Sequence, residues 1–210
     1  NEAGTALRFE IMHTDSLDIR RGGTSGVPVR LPELPLKGLN GEPNNQVVAV
    51  HAALSDKTIN IPDVNTAQGY DFTGPKRMGA ITGYSTVSLL TVPMKNHSGY
   101  VIGVLQLINA QEEGSGRVVE FSNTDLSLVE SMASQAAIVL SNRQLVREQE
   151  RLFESLITLV NEAIDEKSAH TGGHCQRVPR LTMMLAEATH GTTEGALSGF
   201  RMDEAGRYEL

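Results

Sequence analysis

Apolar side chains recur at helical spacing along the second half of this sequence, from residue 126 to residue 163. Two series carry the pattern, separated by a step of five residues: Leu126, Val129, Ala133, Ala136 and Leu140, then Leu145, Leu152, Leu156, Leu159 and Ala163. Steps of three and four residues are typical of a helix that packs on other helices. We therefore expect one long helix that leaves one domain and enters another.

The two series differ in what they predict. The first also fits a terminal helix that covers the sheet of its own domain. The second lies far from any predicted strand and favours packing between subunits or along a connector. Polar residues from Asn142 to Arg151 surround the break between the two series. A parallel pair of such helices would make the protein a homodimer.

Two runs rich in Val, Leu and Ile, Ser88 to Met94 and Tyr100 to Ile108, predict adjacent strands. Residues 95–99 between them include Asn and Gly and suit a hairpin turn. A further half-buried strand is predicted from Leu7 to Met12, where every second residue is apolar. The two central runs are expected to form the middle of the sheet.

The segment between the early strand and the central pair predicts one helix and one long loop. Val47 to Leu54 favours a short helix, with Asn44 or Asn45 as its cap. Residues 62–84 contain several Gly and Pro residues and predict a long polar loop.

The long helix is predicted to begin just after Phe121. Ser122 or Asn123 supplies a side-chain cap for the first free N–H groups. The carboxylate of Asp125 falls in the first turn, where the helix dipole favours a negative charge.

The composition restricts the classes of partner. A net charge of -7 argues against nonspecific binding to DNA or to anionic membranes, because both need clustered Lys and Arg. Small ligands and protein partners remain. The single cysteine, Cys175, excludes an internal disulfide framework and suits a reducing compartment, so we expect a cytoplasmic location. No apolar run approaches the roughly 18 residues that a membrane helix needs.

Four ordered motifs point to a known family: Asn60-Ile61-Pro62-Asp63, Thr82-Gly83-Tyr84-Ser85-Thr86, Leu90-Thr91-Val92-Pro93-Met94-Lys95-Asn96 and Ile102-Gly103-Val104-Leu105-Gln106-Leu107-Ile108-Asn109. Over about residues 4–145 the chain resembles a GAF domain of the cyclic-nucleotide phosphodiesterase type. The resemblance implies an α+β fold, with an antiparallel sheet of about six strands flanked by helices and a small-ligand pocket under the long loop. It assigns residues 1–145 to a GAF sensor domain and residues 146–210 to a connector helix and a further helical domain.

The resemblance also implies two departures from the family. GAF domains often begin with a helix and a strand that residues 1–145 start too late to hold, which leaves a sheet edge that could pair with a second chain. In ligand-binding members an Asn-Lys pair is followed by Phe and by Asp-Glu. Asn109, Phe121 and Asp125 match this pattern, whereas Ala110 replaces the Lys and Leu126 the Glu. The Lys-to-Asp ion pair of the pattern therefore cannot form.

The resemblance gives seven candidate ligand-binding residues: Thr82, Thr86, Val48, Ala49, His13, Phe72 and Tyr84. The two threonines fall where nucleotide-binding relatives present hydroxyl groups, and Val48 and Ala49 lie on the short helix that packs against the base. His13 ends the early strand and could face the pocket, while the two aromatic residues could close it. The alternatives are a turn or cap role for the threonines, a solvated histidine, and aromatic residues that anchor the loop to the core.

The stretch after residue 167 resembles the opening of an HD-GYP phosphodiesterase, preceded by a connector helix and arranged as a helical hairpin. Its His-x-x-Arg-Val signature matches His174, Arg177 and Val178. The resemblance implies that His174 ligates a divalent metal in a complete domain that hydrolyses cyclic di-GMP. His170 stands where three-metal members carry Glu. Taken alone, two histidines four residues apart with Gly172 and Gly173 between them predict no metal site.

An HD-type centre also needs an adjacent His-Asp pair, and this sequence contains none. We therefore expect no catalysis and no cofactor in this chain, which would sense a small ligand and control a downstream phosphodiesterase. Two alternatives stay open. The chain could be a scaffold that only dimerises, or a metal-dependent phosphohydrolase that is active in this form.

Overall fold

The computed structural model describes residues 4–167 and 173–209. The chain divides into two compact units, Asn1–Arg143 and Gln144–Leu210. In chain order the elements are β1 (Ala6–Leu7), β2 (Ile11–Thr14), β3 (Ile19–Gly22), β4 (Leu34–Pro35), α1 (Val48–Ser55), β5 (Ile59–Ile61), α2 (Thr73–Thr82), β6 (Leu89–Lys95), β7 (Val101–Ile108), β8 (Ala110–Gln111), β9 (Val118–Val119), α3 (Asn123–Lys167), α4 (His174–His190) and α5 (Glu204–Glu209).

The central sheet is antiparallel, with the strand order β5-β6-β7. Its register pairs Ile59 with Thr91 and Leu90 with Leu107. Strand β6 lies in the middle and is buried at every position but its last, as expected for a strand covered on both faces. The predicted hairpin is confirmed, and the Oδ1 atom of Asn96 accepts hydrogen bonds from two backbone N–H groups of its turn.

The remaining strands form short antiparallel ladders. Strand β1 pairs with β4, β2 with β3, and β8 with β9. The predicted α+β class with antiparallel strands flanked by helices is thus confirmed, but the described strands form one three-stranded sheet and three ladders instead of one sheet of about six. The continuous strand predicted from Leu7 to Met12 is wrong, because β1 ends at Leu7 and β2 begins at Ile11, whose side chain is 68% exposed.

Helix α1 confirms the predicted short helix and packs against β6 and β7 of the central sheet. Val48 lies in a buried cluster with four other side chains: Ile61, Val64, Phe72 and Leu89. The predicted asparagine cap is wrong. Val47 occupies the N-cap without a side-chain hydrogen bond, and Asn44 instead donates from Nδ2 to the carbonyl oxygen of Pro35 at 3.1 Å.

Part of the predicted long loop is helix α2. Asp71 accepts a 2.8 Å hydrogen bond from the N–H of Thr73 and so caps the first turn. Pro75 lies in that turn, where a missing N–H costs nothing. Gly83 follows the helix with φ +73°, and its N–H donates to the carbonyl oxygen of Gly79. Gly74, Pro75 and Gly83, which suggested a loop, therefore mark the two ends of a helix.

The predicted long helix is confirmed as α3, which continues through 45 residues from the first unit into the second. Ser122 and Asp125 cap it reciprocally: Ser122 N donates to Asp125 Oδ2 at 2.8 Å, and Asp125 N donates to Ser122 Oγ at 3.2 Å. In the first unit its buried positions are Val129, Ala133, Ala137 and Ser141, which step by four residues. The helix therefore covers its own sheet.

This stripe differs from the predicted one at two positions. Ala136 is exposed and Leu140 is 49% exposed, because the buried face follows Ala133 with Ala137. The side chains at the two buried positions, Ala133 and Ala137, are small and let the helix approach the sheet closely. The core there also contains three residues of β6 and one that precedes the helix: Leu90, Val92, Met94 and Phe121.

The second unit contains the end of α3 together with α4 and α5. The backbone N–H of Met202 donates to His190 Nδ1 at 3.0 Å, and Arg207 pairs with Glu187 at 2.9 Å. Helix α3 is described to Lys167, and the predicted second helix is confirmed as α4, which begins at His174 after Gly173 with φ +74°, whereas His170 lies outside the described residues. None of the helices in the part of the chain that the structure describes has an apolar stretch long enough to cross a membrane.

Candidate functional site

A cavity of about 220 Å³ lies beneath α2. Its lining comes from α2, from the segment before that helix and from the segment that leads into β6. The lining residues are Val64, Asn65, Pro75, Lys76, Gly79, Ala80, Gly83, Ser85 and Thr86. Since three separate parts of the chain converge on it, this cavity is the candidate ligand site of the first unit.

Helix α2 lies close to the segment that leads into β6. A Cβ atom added at Gly79 would come within 3.1 Å of the Tyr84 carbonyl oxygen. Asp71 fixes the start of the helix, and hydrogen bonds from the side chain and the backbone of Thr73 lower the pKa of Asp71. The carboxylate is therefore charged at neutral pH, where it complements the positive end of the helix dipole.

The opposite wall is held by the side chain of Asn109. Its Oδ1 accepts from the N–H of Val87 at 2.7 Å, and its Nδ2 donates to the carbonyl oxygen of Ser85 at 2.8 Å. Asn109 is buried and adopts a left-handed backbone with φ +58°. These two bonds bracket Thr86 and position its side chain at the cavity.

The cavity offers several hydrogen-bond donors. Lys76 and Ser85 are exposed, Thr86 is half-buried, and none of the three side chains is hydrogen-bonded to another described residue. Asn65 differs, because its Nδ2 donates to Asp63 Oδ1 at 2.9 Å. One ammonium and two hydroxyl groups are thus available to a ligand that carries acceptor oxygens.

Of the seven candidate residues, Thr86 lines the cavity. Thr82 ends α2 and accepts a 3.2 Å hydrogen bond from the N–H of Tyr84 through Oγ1, which is a local turn contact. Tyr84 is half-buried between two lining residues, Gly83 and Ser85. The structure therefore brings one candidate to the cavity and puts two more beside it in sequence.

The other four candidates lie elsewhere. Val48 is buried in the core and Ala49 is half-buried, both on α1. Phe72 is 6% exposed and meets the ring of Tyr70 edge-on at 6.2 Å, which matches the anchoring alternative. His13 lies on β2, half-exposed and hydrogen-bonded to Asp15.

A second, open depression of about 390 Å³ is lined by Gln46, Gly69, Tyr70 and Asp71. It lies near α1, because the ring of His51 on that helix lies 5.6 Å from the ring of Tyr70, tilted by 42°. The Nδ1 atom of His51 is buried without a hydrogen-bond partner among the described residues.

Sequence reasoning missed most of the cavity lining, and four of the missed residues, Pro75, Lys76, Gly79 and Ala80, belong to a helix that was expected to be a loop. An available signal was Asp71 two residues before Thr73, followed by Pro75 and, after the helix, by Gly83. Acidic caps, early proline and terminal glycine together mark a helix.

The residues that match the family's Asn, Phe and Asp pattern have separate structural roles. Asn109 holds the cavity wall, Phe121 is buried in the core and Asp125 caps α3. Ala110, in the place of the Lys, donates its N–H to Ser88 Oγ at 3.1 Å. Backbone and amide contacts thus connect the wall to β7 without an ion pair.

The proposed metal ligand His174 is exposed at the first position of α4. Among the described residues, no group of three or more His, Cys, Asp or Glu side chains is arranged to hold a metal ion. A divalent ion needs several such ligands. The described residues therefore do not fit a metal centre, and no chemistry of this chain is assigned to one.

Comparison with known proteins gives a consistent result. The family model described as GAF domain matches residues 19–140. The dual 3',5'-cyclic-AMP and -GMP phosphodiesterase 11A of Takifugu rubripes is 28% identical over 121 residues, which are 56% of this chain and 12% of that protein. The dual 3',5'-cyclic-AMP and -GMP phosphodiesterase 11 of Drosophila melanogaster is 32% identical over 124 residues, which are 58% of this chain and 8% of that protein.

A solved GAF domain structure is 22% identical, covers 51% of this chain and 48% of its own, and superposes with a TM-score of 0.33. The match spans about a tenth of the length of the two curated relatives. The described residues form an α+β domain with a small cavity beneath a helix. Since the family model covers more than half of the sequence, this chain belongs to the GAF domain family.

Proposed function

We propose that the first unit binds a cyclic nucleotide in the cavity beneath α2 and that binding regulates a downstream enzyme through α3. The observation that carries this proposal is the cavity itself, bordered by Thr86 and two further free donors in a GAF domain. Both curated relatives are named as phosphodiesterases of cyclic AMP and cyclic GMP. Ligand chemistry of that kind suits hydroxyl and ammonium donors.

The signal would pass along α3. This helix packs on the central sheet through Val129, Ala133 and Ala137 and continues beyond residue 143 into the second unit. A ligand shifts such a helix only if it binds two arrangements with different affinity. The step between Leu140 and Leu145 is the proposed switch point. Ser141 supports it, because its hydroxyl is buried and unpaired among the described residues.

The downstream enzyme would be an HD-GYP-type, metal-dependent phosphodiesterase of cyclic di-GMP in a bacterial signalling protein. Support comes from the sequence match at His174, Arg177 and Val178. Because the described residues do not form a metal centre, we assign catalysis and the divalent metal to a complete domain and not to this chain. The single cysteine suits a cytoplasmic location.

The test is thermal unfolding of the 210-residue chain with cyclic AMP, cyclic GMP or cyclic di-GMP. A ligand that binds only the folded state raises the midpoint with concentration. Thr86→Ala removes a hydroxyl from the cavity, and Thr82→Ala removes one that caps a turn. Thr124→Ala is the matched control, since Thr124 is exposed on α3 and lines no part of this cavity.

We expect one nucleotide to raise the midpoint of the unmodified chain and of Thr124→Ala, with a smaller shift for Thr86→Ala. An unfolding midpoint that none of the three nucleotides changes would contradict the proposal. Assay of the same samples for hydrolysis of cyclic di-GMP, with added Mn²⁺, tests the alternative of an active phosphohydrolase. Turnover there would contradict the assignment of catalysis to a complete domain.

A second candidate function is a scaffold that dimerises without a small ligand. It is favoured by the apolar side chains that α3 exposes after residue 144, among them Leu152 at 71% and Leu159 at 64%. Exposed apolar stripes of this kind mark interaction surfaces. Thermal unfolding and sedimentation equilibrium, each with and without nucleotide, separate the two functions, because only a sensor changes its unfolding midpoint or its monomer–dimer equilibrium when nucleotide is added.

A further inference from the structure

The cavity beneath α2 carries a positive charge that its lining does not neutralise. Lys76 is the only charged residue among the described residues that line it. Lys76 forms no ion pair with a described residue. The chain as a whole has a net charge of -7, so an uncompensated cation at a cavity is a local departure from the overall charge.

The acidic residues closest to the lining in sequence already accept hydrogen bonds, and neither forms an ion pair with Lys76 among the described residues. Asp63 Oδ1 accepts from both the N–H and the Nδ2 of Asn65, at 2.8 Å and 2.9 Å. Asp71 accepts from the N–H of Thr73 at the start of α2. Helix α2 contains two cationic residues, Lys76 and Arg77, and no acidic one. The charge of Lys76 is therefore available to a ligand.

The other free groups around the cavity suit the same ligand chemistry. Ser85 and Thr86 present hydroxyl groups on the wall that Asn109 holds. The ionised phosphodiester of a cyclic nucleotide has only acceptor oxygens at neutral pH, and it binds best to ammonium and hydroxyl donors that converge on it. A cationic ligand would be repelled by Lys76, and a neutral one would leave the charge unpaired.

We propose that this cavity takes the phosphate end of its ligand, with Lys76 pairing with the negative charge and Ser85 and Thr86 donating hydrogen bonds to the phosphate oxygens. The inference rests on the proposed function and specifies which part of a nucleotide the cavity recognises. A volume of about 220 Å³ supports it. Pockets that enclose whole drug-sized ligands have roughly 300–1,000 Å³, so this one suits one end of such a molecule.

The experiment measures binding to the full chain by calorimetric titration. The probes are cyclic AMP and cyclic GMP, the uncharged nucleosides adenosine and guanosine, and inorganic phosphate. Lys76→Gln removes the charge at the cavity. Arg77→Gln is the matched control, because Arg77 is exposed on the same helix but lines no part of the cavity. Both sites are exposed, so both variants should fold, and their unfolding midpoints verify this.

We expect a cyclic nucleotide to bind more tightly than its nucleoside. Lys76→Gln should weaken that binding by about tenfold, the loss expected for one hydrogen bond to a charged group. Arg77→Gln should change it less than twofold, and added salt should weaken binding to the unmodified chain more than to Lys76→Gln. Competition by millimolar inorganic phosphate, lost in Lys76→Gln, would show that the phosphate alone is recognised.

Two results would overturn the inference. If nucleotide and nucleoside bind equally, or if Lys76→Gln behaves as Arg77→Gln does, then the phosphate is not bound at Lys76, although the domain remains a nucleotide sensor. If neither nucleotides nor inorganic phosphate bind, the inference fails together with the proposed function.

Discussion

Asn109 donates a 2.8 Å hydrogen bond from its side-chain Nδ2 to the carbonyl oxygen of Ser85. The side-chain Oδ1 of Asn109 accepts a hydrogen bond from the N–H of Val87, two residues further along the chain. One buried side chain thus fixes both ends of the three-residue segment that contains Thr86. The amide is suited to this task because it has a donor and an acceptor in one plane. Its left-handed backbone also favours Asn over most other residues.

We predict that Asn109→Gly lowers the free energy of unfolding by about 1–3 kcal/mol, because two backbone groups lose their partners. Glycine accepts φ +58° without strain, so the loss reports the side chain and not the backbone. Urea unfolding measures it. The Val87 amide should also exchange faster with deuterium. Unchanged exchange at Val87 would contradict the role assigned to Asn109.

Asn109→Asp separates the two hydrogen bonds. A carboxylate still accepts from the N–H of Val87 but has no proton for the Ser85 carbonyl oxygen at neutral pH. We expect this variant to retain protection of the Val87 amide and to lose nucleotide affinity, because Ser85 and Thr86 are released at one end. Equal affinity in Asn109→Asp and the unmodified chain would show that the Ser85 contact does not shape the cavity.

The two ends of α2 give a matched pair of glycine substitutions. Gly83 has φ +73°, and a Cβ atom there would meet no other atom within 4 Å. We predict that Gly83→Ala costs about 1–2 kcal/mol, because a left-handed conformation is strained for alanine. Gly74 has equal space but no positive φ. Gly74→Ala should therefore stabilise the fold by about 0.4–1 kcal/mol. Denaturant unfolding compares both with the unmodified chain, and equal effects of the two substitutions would contradict this account.

The cap of α3 predicts an acid-sensitive contribution to stability. Hydrogen bonds from the Ser122 hydroxyl and backbone N–H lower the pKa of Asp125. A carboxyl group whose pKa is lower in the folded state stabilises that state above its unfolded pKa, and the contribution disappears as pH falls through the folded pKa. The stability difference between the unmodified chain and Asp125→Asn should therefore be constant from pH 7 to about pH 5 and shrink below about pH 4.

Ser122→Ala tests the other half of the cap. We expect a loss of about 1 kcal/mol at neutral pH, the usual cost of removing an N-cap hydroxyl. Ser127→Ala is the control, because the Ser127 hydroxyl donates to the Asn123 carbonyl oxygen within the helix and caps nothing. For the carboxylate itself, a stability difference between the unmodified chain and Asp125→Asn that stays constant down to pH 3 would contradict the role assigned to Asp125.

The parts of the fold that the sequence predicted have local causes. Strands β6 and β7 follow from their apolar runs and from the Asn and Gly of the turn between them. The start of α3 follows from Ser122 and Asp125. The alternating pattern wrongly predicted one strand from Leu7 to Met12, because the chain turns between Leu7 and Ile11. This turn is set by strand pairing, since β1 pairs with β4 and β2 pairs with β3. Such pairing is not encoded within the strand itself.

The buried face of α3 shows a second limit. Steps of three and four residues are equally compatible with Ala136 or Ala137 facing the sheet, and the choice depends on how the helix crosses β6. In the candidate site, the resemblance to a known family named Thr86, which lines the cavity. It could not find Lys76, because the contribution of this residue depends on a helix that brings it to a cavity wall.

The exposed apolar residues of α3 give the last prediction. Leu145, Leu152 and Leu159 are seven residues apart, and Leu156 and Ala163 fall four residues after the latter two. This is the heptad spacing of a two-helix coiled coil. In the single chain Leu152 and Leu159 are mostly exposed, so a second copy of the same helix is the proposed partner. The unmodified chain should then sediment at twice its mass of 22.7 kDa.

Leu152→Glu and Leu159→Glu should each weaken this dimer at least about tenfold, because an uncompensated charge would be buried between the helices. Thr158→Glu adds the same charge on an exposed position outside the heptad stripe and should leave the dimer intact. Sedimentation equilibrium over a range of concentrations gives the dissociation constants of the unmodified chain and of the three variants. The same variants test whether this helix, along which the proposed signal passes, is coupled to the cavity. If the first unit senses its ligand alone, the glutamate variants should bind nucleotide with unchanged affinity. Weaker binding in both variants, but not in Thr158→Glu, would instead show that association of the helices and occupation of the cavity are coupled.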